Sequence, residues 1–112
     1  MKTKTYKIGL HRGNGRIFLE GNLIESHGFK CGMEYTRIDD VVNGVITLHA
    51  GAVCGLSGLH FKPNRRVTQS IRNGKARPII DLSDATISKR FAGFSRVEVE
   101  FHDGILLYRG AA

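Results

Sequence analysis

The residues Arg16-Ile17-Phe18-Leu19-Glu20 have a counterpart 61 positions later in the chain, Arg77-Pro78-Ile79-Ile80-Asp81. Both segments begin with an arginine, continue with apolar residues and end in an acid. The pair Asn43-Gly44 recurs as Asp103-Gly104 at an offset of 60. Repetition in a constant order indicates an internal duplication. We therefore expect two repeats and a connector: residues 4–49, residues 62–109 and, between them, residues 50–61.

Turn dipeptides divide each repeat into hairpins. Asn-Gly and Asp-Gly pairs tolerate the positive φ angles that two-residue hairpin turns require. Apolar residues flank each pair, so the four pairs predict four hairpins and eight strands. The predicted turns are Asn14-Gly15, Asn43-Gly44, Asn73-Gly74 and Asp103-Gly104.

A short helix is predicted between the two hairpins of each repeat, at Asn22–Gly28 and at Ser83–Phe91. Ser83 is a suitable N-cap with Asp84 in the first turn, and Gly28 is a suitable helix stop. Each repeat then has the order β-β-α-β-β. The connector contains several glycines among small apolar residues, which predicts that the two repeats pack into one body.

Length and composition bound the class of protein. The chain has 112 residues, of which 41 % are hydrophobic and 24 % charged, as expected for one globular domain, residues 1–112. No apolar run approaches the ~20 residues of a membrane-spanning helix, and the N-terminus lacks the apolar stretch of a secretion signal. Cys31 and Cys54 are too few for a disulfide framework, and we interpret them as small apolar residues of the core. We expect a cytoplasmic protein with no membrane partner.

The positive charge is concentrated in two blocks. The formal net charge is +7, from 17 basic and 10 acidic residues. Residues 1–19 contain five basic residues and residues 62–77 contain six, and neither block contains an acid. Segregation of this kind indicates a partner surface, with nucleic acid as the first candidate and an acidic protein surface as the second.

Basic side chains at hairpin turns are suited to phosphate contacts, and arginine also pairs with guanine edges. The alternative for these side chains is a solvated surface that contributes only solubility. For the two asparagines included, a turn role alone is a sufficient explanation. The predicted nucleic-acid-binding residues are Lys7, Arg12, Asn14, Arg16, Lys62, Arg65, Arg66, Arg72, Asn73, Lys75 and Arg77.

The first repeat combines a glycine-arginine strand, a short helix, a Gly-Phe-x-x-Gly spacing and a closing strand, at Asn14–Leu19, Gly28-Phe29, Gly32 and Gly44–Leu48. In this pattern it resembles the AbrB/MazE/SpoVT family of swapped-hairpin domains, and the Gly-Phe-x-x-Gly spacing is most similar to the SymE-like branch. The resemblance covers residues 4–49 and, more loosely, residues 64–109. Glu20 and Asp81 stand where the family often has a proline after the apolar strand.

This resemblance implies a mainly β, swapped-hairpin β-barrel with two short helices. Family members usually dimerise to complete the fold, so two repeats in one chain imply a single-chain pseudo-dimer, either monomeric with pseudo-two-fold symmetry or further associated as a homodimer. In members that bind DNA, arginines of the first hairpin make the contacts. The two basic blocks coincide with the first hairpins of the two repeats.

Signals for catalysis and for metal binding are weak. Ser57 lies in Gly55-Leu56-Ser57-Gly58, which lacks the spacing of a nucleophile elbow. Gly13-Asn14-Gly15 is not followed by the lysine and hydroxyl residue of a phosphate loop. The five histidines are dispersed and show no zinc-ligand spacing. We predict a protein that is not an enzyme and that uses no metal and no cofactor.

The preferred function is nucleic-acid binding as a transcriptional regulator or an antitoxin-like factor. Duplex DNA is favoured, because the phenylalanines fall on apolar faces of the predicted elements and do not alternate with the arginines as on a single-strand stacking surface. Two alternatives stay open. One is a phage or mobile-element protein that inhibits a host defence complex by protein–protein interaction, for example an anti-CRISPR. The other is a SymE-like toxin acting on RNA or the nucleoid. A protein partner would accordingly be a toxin or a defence complex.

Overall fold

A computed structural model describes residues 2–54 and 60–111 and shows a mainly β protein with two short helices. The expected mainly β class is confirmed. The helices are α1 (Asn22–Ser26) and α2 (Ala85–Arg90). In chain order the strands are β1 (Lys2–Lys7), β2 (Gly9–His11), β3 (Asn14–Glu20), β4 (Glu34–Asp40), β5 (Val45–Ala50), β6 (Val53–Cys54), β7 (His60–Phe61), β8 (Arg65–Arg66), β9 (Thr68–Arg72), β10 (Lys75–Ser83), β11 (Arg96–His102) and β12 (Ile105–Ala111).

The strands form separate antiparallel sheets. A six-stranded sheet has the order β1-β11-β12-β5-β4-β8, a four-stranded sheet has the order β2-β3-β10-β9, and β6 pairs with β7 within the predicted connector. The described strands therefore do not close into the single barrel that the family resemblance implies. Both large sheets are centred on a pair of strands from the two halves of the chain, β5 with β12 and β3 with β10.

Each large sheet places one face on a common core. Side chains alternate between the two faces of a strand, so every second residue is buried along β3 and β11, from Pro78 to Leu82 in β10 and from Leu106 to Tyr108 in β12. Within the described part of the chain, the resulting core contains 17 buried hydrophobic residues. Its largest fully buried side chains include Tyr108, Phe29, Phe101, Ile17 and Leu19. Phe18 and Phe94, which we expected in the core, are 40 % and 44 % exposed.

Helix boundaries differ slightly from the predicted ones. The N-cap of α2 is Asp84 rather than Ser83, because the Asp84 carboxylate accepts a hydrogen bond from the Ile87 amide at 3.0 Å. Gly28 follows the end of α1 with a positive φ of 99°, the left-handed conformation that stops a helix and that glycine adopts without strain.

The first predicted turn lies two residues too late. β2 and β3 are joined by Arg12-Gly13, with φ angles of 51° and 82°, and Asn14 already pairs with His11. Gly15 instead lies under α2, where its amide donates to Ser88 Oγ at 2.7 Å and an added Cβ would approach Ile87 Cγ2 to 3.2 Å. Glycine is needed there for close packing of strand and helix.

The other three hairpins are confirmed. Asn73-Gly74 forms a two-residue turn with both φ angles positive, and Asp103-Gly104 forms a second two-residue connection. The predicted turn at Asn43-Gly44 ends a four-residue loop between Asp40 and Val45. The Asp40 carboxylate accepts from the Asn43 amide and side chain, at 3.1 and 2.7 Å.

The cysteine and connector predictions are only partly covered. Cys31 is half-buried and lies outside the hydrophobic core. The Cys54 side chain and residues 55–59, including Ser57, lie outside the described residues.

Candidate nucleic-acid interface

The four-stranded sheet joins the first hairpin of each predicted repeat. Ile17 and Leu19 of β3 and Ile80 and Leu82 of β10 point into the core. The residues between them point to the opposite side, which we call the outer face. Along β3 and β10 the outer face carries Asn14, Arg16, Phe18, Glu20, Lys75, Arg77, Ile79, Asp81 and Ser83.

Both hairpins extend beyond the core at their turns. Residues 9–13, here called arm 1, and residues 71–77, here called arm 2, are exposed at every position. Arm 2 is a two-stranded ribbon in which Arg72 pairs with Lys75 across the turn. Arm 1 is shorter, because its returning strand is covered by α2 from Gly15 onward. Exposure at every position on both faces of the sheet leaves the side chains of the arms accessible to a partner.

Two ion pairs occupy the centre of the outer face. Arg16 donates to Asp81 through Nε at 3.0 Å and through Nη2 at 2.8 Å, and its guanidinium also lies 5.0 Å from the ring centre of Phe18. The hydrogen bond to Asp81 raises the pKa of Arg16. Arg72 Nε lies 3.5 Å from Glu20 Oε1. The acids that end the repeated apolar strands therefore neutralise part of the charge of the opposite hairpin.

Beyond this centre, cations stand at both ends of the sheet. Among the described residues, Arg12 of arm 1 and Lys75 and Arg77 of arm 2 form no ion pair. Arg12 lines a polar cleft of about 390 Å³ between arm 1 and the end of β10. The cleft is lined by His11, Arg12, Asn14, Arg65, Asp81 and Ser83. Cationic, hydroxyl and amide donors suited to a phosphate converge there, beside one carboxylate, Asp81, whose charge is paired with Arg16.

The remaining predicted residues are less uniformly placed. Arg65 of β8 reaches the cleft, with its Nη2 at 3.7 Å from Asp84 Oδ2. Arg66 is held away from the outer face, since it donates to the Gly32 carbonyl at 2.7 Å and lies 3.3 Å from Glu34. Lys7 ends β1 of the six-stranded sheet, and Lys62 lies in the segment before β8. Asn73 lies at the turn of arm 2. The outer face, the arms and the cleft therefore contain eight of the eleven predicted residues: Arg12, Asn14, Arg16, Arg65, Arg72, Asn73, Lys75 and Arg77.

A buried ion pair between Arg37 and Asp84 lies next to the cleft, because Asp84 also contacts the cleft residue Arg65. The Arg37 side chain is only 4 % exposed and donates from Nη1 to Asp84 Oδ2 at 2.6 Å and from Nε to Asp39 Oδ1 at 3.2 Å. Partial burial by itself raises the pKa of Asp84, but hydrogen bonds from Arg37 and the Ile87 amide outweigh it, and the net pKa lies below the usual value. Burial likewise acts to lower the pKa of Arg37, and its carboxylate partners reverse the shift. This pair ties the six-stranded sheet to the N-terminus of α2.

Two exposed apolar residues of the arms were not among the predicted site residues. Leu10 is 81 % exposed and Ile71 is 68 % exposed. Each lies two residues before a turn, and each faces a small residue across the hairpin, Gly15 and Ala76 respectively. Apolar alternation alone assigns both to the core. The sequence signal for their exposure is the small residue across each hairpin, because Gly15 and Ala76 have no side chain large enough to cover Leu10 and Ile71.

Outside this surface, few groups suggest chemistry. A second cleft, of about 520 Å³, is lined by Lys2, His27, Phe101, His102 and Asp103. No group of three or more His, Cys, Asp or Glu side chains in residues 2–54 and 60–111 is placed to hold a metal ion. In the same ranges, no helix has the length and apolar character needed to cross a membrane.

The fold and its basic surface define a mainly β protein with cationic arms, in which both halves of the chain contribute to each large sheet. No protein-family model, no curated protein and no solved structure compared with this chain matches it.

Proposed function

We propose that this chain is a non-enzymatic nucleic-acid-binding protein that binds duplex DNA through the arms and outer face of its four-stranded sheet. The observation that carries the proposal is the placement of Arg12, Lys75 and Arg77. These three cations project at the ends of the sheet and form no ion pair within the described residues. Exposed cations without an acidic partner are available to displace counterions from a phosphate backbone.

The shape of arm 2 favours a duplex over a single strand. The major groove of B-DNA is about 12 Å wide and admits a two-stranded β-ribbon. Single-strand binding surfaces need exposed aromatic rings on which bases stack. On the outer face the exposed aromatic ring is that of Phe18. The Arg16 guanidinium lies 5.0 Å from its centre and occupies the ring surface on which a base would stack.

We further propose that the chain is an internally duplicated, swapped-hairpin pseudo-dimer with a regulatory or antitoxin-like role. The strand order supports a duplication. Leu19 pairs with Ile80, 61 positions away, and Thr47 pairs with Leu107, 60 positions away. In a duplicated chain, an approximate two-fold axis through each of these pairs relates the flanking strands of the two halves. The DNA-binding hairpins of both halves then belong to one sheet.

Fluorescence anisotropy with labelled duplex DNA, single-stranded DNA and RNA tests the proposal. We expect the purified chain to bind duplex most tightly, with an affinity that falls steeply as salt increases. The double variant Lys75→Glu/Arg77→Glu should weaken duplex binding at least tenfold. Lys2→Glu/Lys4→Glu is the matched control, because it makes the same change in net charge at exposed positions of β1 in the other sheet.

The outcomes separate the functional classes. Equal loss of affinity in both double variants contradicts an arm-specific interface and indicates a general charge effect. Tighter binding of RNA than of duplex favours the toxin alternative. Absence of binding to all three nucleic acids overturns the proposal and favours a protein partner, as in an inhibitor of a host defence complex.

A further inference from the structure

We infer that the two arms engage successive major grooves on one side of a DNA duplex, so that the chain reads two positions about one helical turn apart. This inference rests on the proposed function and adds a geometric requirement to it. It follows from where the register of the four-stranded sheet places the two turns.

The distance between the arms follows from the strand pairing. Arg16 lies opposite Ser83 in the β3–β10 pair. Asn14, where arm 1 joins β3, lies two residues beyond Arg16, and Lys75 of arm 2 lies eight residues from Ser83 in the other direction. These ten steps of about 3.3 Å place the arms about 33 Å apart along the strands. The longest dimension of the molecule, 41 Å, accommodates this separation.

That separation matches the repeat of the duplex. Successive major grooves on one side of B-DNA are about 34–36 Å apart, or about 10 base pairs. Arms 1 and 2 lie at opposite ends of one sheet, and a single body therefore presents both to the same side of the helix. Proteins with two-fold symmetry commonly bind paired half-sites with this spacing.

The charge distribution agrees with contact at two ends rather than along the whole face. Glu20 and Asp81 lie in the middle, where they pair with Arg72 and Arg16. An acidic, ion-paired centre gains little from a phosphate backbone. The unpaired cations and the cleft donors lie at the ends, where the grooves are expected.

A duplex-length series tests this inference. Labelled duplexes of 8, 12, 16 and 24 base pairs are titrated over a range of salt concentrations, and the slope of log K against log salt is compared between lengths. An 8-base-pair duplex accommodates one arm, whereas 16 base pairs accommodate both. We expect the slope to steepen by about 1 to 2 between these lengths, since the second arm adds one contact through Arg12 or two through Lys75 and Arg77, and each contact contributes about 0.9.

Variants of each arm identify which residues cause the increase in slope between 8 and 16 base pairs. Lys75→Glu/Arg77→Glu alters arm 2, and Arg12→Asn alters arm 1 with a residue that tolerates the positive φ at this turn. Each should weaken binding overall and give the same slope at 8 and 16 base pairs, whereas Lys2→Glu/Lys4→Glu should keep the increase in slope between these lengths. In the unmodified chain, the same slope at 8 and 16 base pairs, with duplex binding intact, overturns the two-groove inference and leaves the proposed function standing. Loss of binding at every length in the unmodified chain overturns the proposed function itself.

Discussion

Replacement of Asp84 by asparagine removes the charged partner of a buried arginine while preserving the cap of α2. The amide oxygen that Asp84→Asn introduces still accepts from the Ile87 amide, so the capping contribution of about 1 kcal/mol is retained. Arg37 keeps a single carboxylate partner, Asp39, at 3.2 Å. Loss of one partner from a buried pair costs about 3–5 kcal/mol. Because Asp39 remains and Asp84 is one-third exposed, we expect the lower end of that range, about 3 kcal/mol.

Urea denaturation followed by circular dichroism measures this loss. Asp39→Asn is the matched control, since it removes the charge of the longer, 3.2 Å contact to the same guanidinium while its amide oxygen still accepts from Nε, and it should cost about 1 kcal/mol. The double variant Arg37→Met/Asp84→Asn should recover most of the stability, because an apolar side chain of similar volume avoids desolvation of the charge. Equal costs for the two Asp→Asn variants, or no recovery in the double variant, would refute the assigned role of the pair.

The pH dependence provides a second readout of the same pair. The folded-state pKa of Asp84 lies below its unfolded value, so the carboxylate contributes stability above the unfolded pKa of about 3.9 and loses it as pH falls through the folded pKa. The difference in unfolding free energy between the wild-type chain and Asp84→Asn should therefore be largest near pH 7. It should shrink as the pH falls below about 4. A difference independent of pH would contradict an ionic contribution.

Two further predictions concern the interface. Asp81→Asn should release Arg16 from its exposed ion pair and tighten duplex binding severalfold with little change in urea midpoint, whereas weaker binding would indicate that the pair positions Arg16 for contact. Asn73→Ala should destabilise the protein by about 1 kcal/mol, because residue 73 has a φ of 52° that alanine adopts with strain, and Asn73→Gly should not. Equal urea midpoints for the alanine and glycine variants at position 73 would exclude strain at this turn.

The class of fold was predictable because local signals agreed with one another. Asn73-Gly74 and Asp103-Gly104 are turns in the structure, and the apolar residues that flank them form paired strands. Separation into two sheets was not predictable, since it depends on which strands of distant segments pair. The alternation within β11, for example, is equally compatible with a closed barrel.

The position of the first turn shows where local reasoning failed. Asn14-Gly15 has the stronger turn propensity, yet the chain turns at Arg12-Gly13. Gly15 is required for the approach of α2, since a Cβ there would meet Ile87 and Ser88. A long-range packing requirement and a turn preference select the same residue type, and a single sequence does not distinguish them.

The two acid-free blocks of the sequence predicted a basic surface but not the acidic residues that pair with some of its arginines. Glu20 and Asp81 lie just outside the acid-free blocks, so counting along the chain leaves them out. The antiparallel register of β3 and β10 brings Asp81 beside Phe18 and Glu20 beside Ile79, at the centre of the outer face. Arg16 and Arg72 are paired there, whereas Arg12, Lys75 and Arg77 project beyond the last acids. On the outer face, the unpaired positive charge therefore lies at two points about 33 Å apart rather than along one continuous surface. A partner that carries negative charge at a matching repeat, as a DNA duplex does, satisfies this pattern better than a single compact acidic patch.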